Sequence, residues 1–308
     1  MEPIYFKPAF SHKPWGGSAL REVWGYDEAG DDIGECWAVS AYKGMEASVD
    51  GGEFDSLTLK ELWETKKELF NYQEGEAFPL LVKIINAEDD LSIQVHPDDD
   101  YAKEHEGVPF GKTECWYILD CEGEGSIIAG HHAKSRDEMR QMIESGDFKS
   151  FISEIRVHPG DFIMIEPGTL HAIKGGITLL EIQQSCDLTY RIYDYDRLCN
   201  GKKRELHLEK GMDVMNVPDD NLMSTIKHDR NLETELLLAD NKYFKVKRIC
   251  VKGELYLQAE GDYTIVSVIE GSGTLSGHPI KKGDNLILPY GFGSFELKGA
   301  CKVILTSN

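Results

Sequence analysis

The chain has 308 residues, with 33 lysines and arginines against 54 aspartates and glutamates, and its formal net charge is −21. This balance excludes nonspecific binding to nucleic acids or anionic membranes, because such partners need a cationic surface. With 41% hydrophobic residues and 30 glycines, the composition is globular, has enough chain for about two domains, and excludes global disorder.

The N-terminus and the cysteines bear on the cellular compartment. The opening residues, MEPIYFKPAFSHKPWGG, lack the apolar core of a signal peptide, and no run approaches the roughly 18 apolar residues of a membrane span. We therefore expect a cytoplasmic protein. Its seven cysteines contain no CxxC pair and fit neither a disulfide framework nor a zinc ribbon, so we expect reduced thiols.

The first strong pattern along the chain is helical. Apolar residues recur every three or four positions from Leu59 to Phe70, and Thr58 with Glu61 predicts a capping box at the start. The runs that follow have a period of two and are broken by Gly, Pro, Asp or Asn, which is typical of strands in a barrel or sandwich. They are PLLVKIIN, LSIQVHP, ECWYILD, GSIIAG, DFIMIEPG and ITLLEIQQS.

Two further helices are predicted among and after these strands. Helical spacing returns at Met139–Ile143, behind a capping box formed by Ser135 and Glu138. A weaker helical pattern covers Leu208–Met215 and ends before Pro218. The chain is therefore predicted to be mainly β with a few added helices.

A change of composition predicts the domain boundary. Between Val217 and Glu235 the sequence turns polar and loses its strand rhythm, after which strand runs resume as YFKVKRICV, YTIVSVIEG and DNLILPYG. We therefore expect two domains, residues 1–230 and residues 231–308.

The second part repeats a segment of the first. GDNLILPYGFGSF, from Gly283, can be laid over GDFIMIEPGTLHAI, from Gly160, since each is a Gly-Asp turn, an apolar strand and a Pro/Gly turn. The match suggests a duplicated antiparallel β-barrel. The second copy has Gly293 and Ser294 where the first reaches His171, so it has lost whatever that histidine does.

Polar side chains on several of these strands predict a metal site. LSIQVHP places Gln94 and His96 on one face, KTECWYIL places Lys112 and Glu114 together, and His171 follows the PGT turn. If these strands are neighbours, two imidazoles, a carboxylate and an amide oxygen converge inside the barrel. Such a set suits Zn²⁺ with an open coordination position. The alternative is that each histidine is an ordinary interior or surface group.

A later pair of strands adds a carboxylate and a guanidinium. Glu181 and Gln183 share a face of ITLLEIQQS, and Arg191 lies among apolar and aromatic residues in LTYRIYDYDR. Arg191 either pairs structurally with Asp194 or Asp196, or binds a substrate oxyanion or phosphate.

Two other motifs are set aside. GVPFGKT resembles a phosphate-binding Walker loop, but it has three residues between its glycines instead of four, and no apolar strand precedes it. His131 and His132 are interpreted as a loop pair without a metal.

Six motifs together resemble the type I mannose-6-phosphate isomerases, in their short bacterial form. They are KPWGG, GECWAVSA, QVHPDD, KTECWYIL, PGTLHAI and LEIQQSCDLTYRIYDYDR, and they span nearly the whole chain. The resemblance implies two cupin (jelly-roll) β-barrels, the second small, degenerate and without a metal site.

The resemblance also implies a set of site residues. One Zn²⁺ per chain, or another divalent transition metal, would be held by Gln94, His96, Glu114 and His171. The active-site lysine, arginine and glutamate of the family correspond to Lys112, Arg191 and Glu181.

The implied reaction interconverts mannose 6-phosphate and fructose 6-phosphate through a cis-enediol. It needs a base, an electrophile for the enediolate and an anchor for the phosphate. Glu181, a zinc-bound water and Lys112 all stay open as the proton shuttle. The expected partner is thus a small sugar phosphate, with no nucleic acid or membrane, and we expect a monomer or a weak homodimer.

Two other functions stay open. His96, Glu114 and His171 could form the iron site of a cupin dioxygenase, although Gln94 as a fourth ligand argues against it. A non-catalytic sugar-binding cupin is the other, and it would not need a metal and a proton shuttle together.

Overall fold

The computed structural model describes residues 1–71, 77–199, 201–219, 226–229 and 234–308. Those residues contain the helices α1 (Ala19–Glu22), α2 (Leu59–Thr65), α3 (Asp99–Glu106), α4 (Arg136–Ser145), α5 (Phe148–Phe151) and α6 (Leu208–Val214), and a 3-10 turn at Lys67–Leu69. None of these helices is long and apolar enough to cross a membrane.

Strands make up most of the fold. In chain order they are β1 (Ile4–Lys7), β2 (Ala9–Gly17), β3 (Ile33–Val39), β4 (Ser48–Val49), β5 (Leu80–Ala87), β6 (Ile93–Val95), β7 (Glu114–Cys121), β8 (Ser126–His131), β9 (Ile152–Arg156), β10 (Asp161–Ile165), β11 (His171–Ile173), β12 (Ile177–Gln184), β13 (Tyr190–Tyr193), β14 (Leu198–Cys199), β15 (Lys202–Lys203), β16 (Lys227–His228), β17 (Glu235–Asp240), β18 (Lys245–Gln258), β19 (Thr264–Leu275), β20 (His278–Lys281), β21 (Asn285–Leu288) and β22 (Ser294–Ser307).

The strands form three large antiparallel sheets. The seven-stranded sheet has the order β16-β10-β7-β12-β5-β3-β2, and the five-stranded sheet has the order β13-β6-β11-β8-β9. The eight-stranded sheet runs β17-β18-β22-β19-β21-β1-β4, with β20 paired to β19, and β14 and β15 form a separate hairpin. The mainly β prediction is confirmed.

The seven-stranded and five-stranded sheets face each other across one apolar core. Trp116 and Leu179 from the first sheet pack with Ile127 and Ile173 from the second. Together the two sheets make a jelly-roll sandwich, which we call the first jelly roll. In the described residues its strands form two facing sheets and not one closed ring.

The seven-stranded sheet is covered on its other face as well. There Ile84 and Leu180 belong to a core shared with Leu62 of α2 and with Ile265 and Ile304 of the eight-stranded sheet. Every residue of β5 and β12 is therefore buried. A strand covered on both faces needs apolar residues at nearly all positions, which explains the continuous runs PLLVKII and ITLLEI.

The eight-stranded sheet folds around a core of its own, which includes Val266, Leu286 and Val303. We call it the second jelly roll. Its strand β1 comes from the N-terminus, where Ile4 pairs with Ile287. The predicted boundary between residues 230 and 231 lies outside the described residues, so the division into domains stays a prediction.

The helix predictions are confirmed in part. Thr58 and Glu61 form the reciprocal capping box of α2, but the helix ends at Thr65 and only a 3-10 turn continues toward Phe70. At α4, Ser135 accepts from the Glu138 amide, whereas the Glu138 carboxylate accepts from the Lys134 amide. The second half of that predicted box is therefore wrong.

Three helices were missed, the four-residue α1 and α5 and the eight-residue α3. Helix α3 begins at an Asp98 cap and ends at Gly107 in the left-handed region, two ordinary helix signals. Gly107 is thus the end of a helix, which agrees with rejecting the Walker loop. The weak pattern before Pro218 is confirmed as α6.

Candidate active site

Strand register aligns three of the predicted site residues across the five-stranded sheet. His171 of β11 is opposite Gln94 of β6, and Gln94 is opposite Arg191 of β13. Directly opposed residues of antiparallel strands share a face, so the three form one row. The turn before β11 ties this row to His96, because the Gly168 amide donates to the His96 carbonyl at 2.9 Å. Gly168 has a φ of +83°, which favours glycine.

The facing sheet supplies a second set of side chains. Trp116 is opposite Glu181, and Glu181 is opposite Lys83 on the next strand. Glu114 lies two residues before Trp116 on the same strand and therefore shares its face. Cross-strand pairing thus places two carboxylates and a lysine on the side that faces the first row.

His96, Glu114 and His171 converge between the two sheets. Nε2 of His96 lies 3.1 Å from Nε2 of His171. Nε2 of His171 lies 3.3 Å from Oε1 of Glu114, and Nε2 of His96 lies 3.8 Å from Oε2. All three side chains are buried, and one ligand atom from each lies within 4.8 Å of the others.

Hydrogen bonds fix which imidazole nitrogen faces this centre. Nδ1 of His96 is 2.7 Å from the Leu188 carbonyl, and Nδ1 of His171 is 2.9 Å from the Thr169 carbonyl. A carbonyl only accepts, so each Nδ1 carries the proton and each Nε2 presents a lone pair. Burial lowers the pKa of His171 to about 4 and that of His96 well below its usual range, which keeps both rings neutral.

The chemistry of this donor set fits a divalent cation. Two lone pairs and a carboxylate face one another, and neither Glu114 oxygen has a well-formed hydrogen bond among the described residues. Lys112 lies beside Oε2 of Glu114 and 3.3 Å from Nε2 of His96, but Nε2 of His171 and Oε1 of Glu114 are buried acceptors that face each other. The Gln94 amide nitrogen is 3.3 Å from Nε2 of His171, so its amide group is within reach as a further ligand. The triad is a possible metal site.

Lys112 and Glu181 flank the triad. Nζ of Lys112 lies 2.5 Å from Oε2 of Glu114 and 4.0 Å from Oε1 of Glu181. Burial alone would lower the pKa of Lys112, but the two carboxylates outweigh it and the net pKa is raised. Burial raises the pKa of Glu181, with Glu114 adding to the rise against Lys112 and Lys83.

Sequence reasoning missed two buried charged residues of this cleft. Nζ of Lys83 lies 3.5 Å from Oε1 of Glu181 and stands over the Trp37 ring at 4.3 Å. Glu35 accepts from Trp37 Nε1 at 2.8 Å and pairs with Lys13 at 3.1 Å. The available signal was a lone lysine inside the apolar run PLLVKIIN, and a glutamate inside GECW.

Arg191 does not form the structural ion pair that was one of its two interpretations. Asp194 binds Arg204 and Arg197, and Asp196 binds Lys203. No carboxylate in the described part of the chain pairs with Arg191, and its buried Nε lacks a hydrogen-bond partner there. The half-buried guanidinium is thus available to a ligand.

One cleft collects the charged groups around the triad. Its lining includes Lys13, Glu35, Lys83, Gln94, Lys112, Glu181, Asp187, Arg191 and Arg204. Four of the seven residues proposed from the sequence line this cleft, namely Gln94, Lys112, Glu181 and Arg191. The other three form the triad, which Lys112 and Gln94 contact directly, and the individual roles of all seven stay predictions.

The loop interpretation of His131 is wrong. His131 ends strand β8, is buried, stacks on Phe151 and bonds through Nε2 to the Asn216 carbonyl at 2.9 Å. His132 is exposed. Among the described residues, neither belongs to a group that could hold a metal.

Comparison with known proteins gives a consistent family. The model for the catalytic domain of type I phosphomannose isomerase matches residues 4–128, and the model for the mannose-6-phosphate isomerase cupin domain matches residues 234–308. Mannose-6-phosphate isomerase ManA of Bacillus subtilis is 44% identical over 312 residues, covering 99% of this chain and 98% of its own. The mannose-6-phosphate isomerase of Streptococcus mutans is 41% identical over 309 residues, covering 98% and 97%.

A solved structure agrees with these matches. The crystal structure of the Bacillus subtilis mannose 6-phosphate isomerase superposes with a TM-score of 0.89 at 42% identity, and 99% of each chain is covered. The cupin fold expected from the resemblance is confirmed. These relatives are named as isomerases, and none of them as a dioxygenase or a non-catalytic binding protein. The chain belongs to the type I phosphomannose isomerase family.

Proposed function

We propose that this chain interconverts mannose 6-phosphate and fructose 6-phosphate, an aldose–ketose isomerisation through a cis-enediol. One observation carries the proposal: in a member of this family, His96, Glu114 and His171 converge in the interior, and Lys112, which contacts Glu114, lines the adjoining cleft together with Glu181. That combination provides a metal site, a candidate proton carrier and cations for an anionic substrate.

We propose that the metal is Zn²⁺. Neutral imidazole nitrogens with carboxylate and amide oxygens form a mixed nitrogen and oxygen set that suits this ion and leaves a position for substrate. The residues that would hold it are Gln94, His96, Glu114 and His171. When bound, zinc supplies a Lewis acid that polarises the sugar oxygens.

Glu181 is our choice for moving the proton between carbons 2 and 1. Its Oε2 accepts from Trp116 Nε1 at 3.1 Å, which fixes the carboxylate, while its Oε1 has no hydrogen bond among the described residues. The raised pKa of a buried carboxylate brings its basicity closer to neutral pH, as a general base requires. Oε1 is thus oriented and able to accept a proton, with Lys83 at 3.5 Å and Lys112 at 4.0 Å as its charged neighbours.

We assign Lys112 and Arg191 as the cations that contact anionic groups of the substrate. Lys112 is buried and fully charged beside the triad, which suits it to an oxyanion that develops on the sugar. Arg191 has no carboxylate partner in the described part of the chain, which suits it to an anionic group of the substrate. Glu114 compensates the charge of Lys112 until substrate arrives.

A coupled assay tests the proposal. Fructose 6-phosphate formed from mannose 6-phosphate is measured before chelation, after thorough chelation and after zinc is restored. We expect turnover, its loss and its recovery. Activity that survives chelation contradicts the metal role, and the absence of turnover in zinc-loaded protein contradicts the isomerase assignment.

Cytoplasmic location and a monomeric or weakly dimeric state stay part of the proposal. Light scattering tests the oligomeric state.

A further inference from the structure

A second arginine shares the cleft with Arg191. Arg204 follows the hairpin of β14 and β15 directly, and its side chain lines the same cleft as Gln94, Lys112 and Glu181. The cleft therefore presents two guanidinium groups in a chain whose net charge is −21. A local cationic site is needed if such an acidic protein is to hold an anionic ligand.

Asp194 holds Arg204 in a defined position. Nε of Arg204 donates to Oδ2 of Asp194 at 2.7 Å, and Nη2 donates to Oδ1 at 2.5 Å. This bidentate hydrogen bonding fixes the plane of the guanidinium. Asp194 is itself buried and also accepts from Arg197, which donates to the Asp90 carbonyl as well. The carboxylate is thus anchored from two sides.

Like charges lie close together in this part of the cleft. Asp194 is one carboxylate shared by Arg197 and Arg204, and Arg191 has no carboxylate partner within the described ranges. Burial, and after it the nearby charge of Arg204, lowers the pKa of Arg191, and together they outweigh the opposite effect of Asp194, Asp187 and Glu205. Two like charges are therefore held close together, an arrangement that a doubly charged anion stabilises.

We propose that Arg204 and Arg191 together bind the phosphate group of the substrate, with Asp194 as the positioning residue for Arg204. The proposal rests on the proposed function, because it assigns one end of that substrate. A phosphate monoester accepts paired hydrogen bonds from a guanidinium. The phosphate lies at the Arg191 end of the Arg191–Gln94–His171 row, and the reacting carbons lie toward His171.

The kinetic test compares Arg204→Gln with Lys203→Gln. Lys203 is the adjacent residue on the hairpin, but it is exposed and pairs with Asp196. For Arg204→Gln we expect the KM for mannose 6-phosphate to rise about 10- to 100-fold, as for the loss of charge-assisted hydrogen bonds, while kcat changes less than about threefold. Lys203→Gln should leave both constants unchanged.

A binding measurement separates this proposal from the isomerase assignment. Inorganic phosphate is titrated by calorimetry into the full-length protein and the two variants, which requires no turnover. We expect phosphate to bind the parent and Lys203→Gln alike, and to bind Arg204→Gln about tenfold or more weakly. If phosphate binds as described but mannose 6-phosphate is not turned over, the isomerase assignment fails alone.

Two further variants keep the test decisive if Arg204→Gln folds poorly. Arg204→Lys retains the positive charge but loses the bidentate guanidinium, so we expect its KM to lie between those of the parent and Arg204→Gln. Asp194→Asn should raise KM with little change in kcat, because it releases Arg204 and leaves Glu181 in place. A KM and a phosphate affinity within twofold of the parent in both Arg204 variants would overturn the proposal.

Discussion

Each jelly roll pairs a glutamine across two strands with the residue that follows its Pro/Gly turn, and that residue differs between the two. In the first, Gln94 is opposite His171, and in the second, Gln258 is opposite Ser294. Sequence comparison of the two copies had already placed Ser294 at the position of His171. In the second copy the serine hydroxyl donates to Oε1 of Gln258 at 2.9 Å, so the glutamine is satisfied by a neutral neighbour.

The ionisable groups near these pairs differ as well. The cavity beside Gln258 contains Lys247, which pairs with Glu235 at 2.8 Å and with Glu260 at 2.7 Å. Those carboxylates are partly exposed, whereas Glu114 and Glu181 are buried and incompletely hydrogen-bonded. The same fold thus holds partly exposed ion pairs in the second jelly roll and buried charges with unfilled hydrogen-bonding positions in the first. Burial raises the pKa of Glu181, which suits a general base, whereas the bonds of Glu260 to Lys247 and Lys245 outweigh its burial and lower its pKa.

The largest effect on kcat/KM is expected from replacing the buried Glu114 of the first jelly roll, compared with the partly exposed Glu260 of the second. Glu114→Gln should lower kcat/KM about 10⁴-fold or more, because it removes the anionic metal ligand and leaves Lys112 without its ion pair. Glu260→Gln, the matched change in the second jelly roll, should alter kcat/KM less than about twofold. The coupled isomerase assay measures both, and equal losses would contradict the distinction.

A buried ion pair between the jelly rolls should control stability. Arg248 of the second is fully buried, and its Nε donates to Asp229, which also accepts from Tyr117 of the first. Asp229→Asn removes the carboxylate that pairs with the buried guanidinium, so we expect the free energy of unfolding to fall by about 3–5 kcal/mol. Denaturant titration measures it. A loss below about 1 kcal/mol would show that the pair is dispensable.

Removing the proposed proton carrier should cost somewhat less. Glu181→Gln should lower kcat by about 10²- to 10⁴-fold, the usual contribution of a general base, while metal content and KM stay near the parent values. Near-normal turnover of Glu181→Gln would remove Glu181 as the proton carrier.

The smallest expected effect concerns α2, which packs between the jelly rolls through Leu62. Thr58→Ala removes a reciprocal capping box and should destabilise the protein by about 1 kcal/mol. Ser135→Ala removes a one-sided cap and should destabilise it less. Thermal unfolding of the two variants gives the order, and the reverse order would contradict the capping account.

Much of the site could be predicted from the sequence because its residues interrupt regular patterns. Gln94 and His96 occupy the polar face of an alternating strand, and such positions are visible without a structure. Lys83 was missed because β5 is buried on both faces, so its apolar run shows no polar face on which a lysine stands out. Arg204 was missed because it lies in a polar loop, where arginine is ordinary.

Long-range pairing limited the prediction of the fold. Strand β1 pairs with β21 across nearly the whole chain, and no local pattern in either strand encodes the partner. The interior position of His131 likewise depends on Asn216 and Phe151, which are distant in sequence. Short-range signals such as the Thr58 cap were predicted correctly, because their partners lie within one helical turn.

The most direct test of the account is the metal content of variants that exchange the feature distinguishing the two jelly rolls. His171→Ser gives the first jelly roll the residue found in the second, and Ser294→Ala is the control. Elemental analysis of zinc-loaded, desalted protein should give about one metal per chain for the parent and for Ser294→Ala, and far less for His171→Ser. Undiminished zinc in His171→Ser, or loss of zinc in Ser294→Ala, would contradict the placement of the catalytic metal in the first jelly roll.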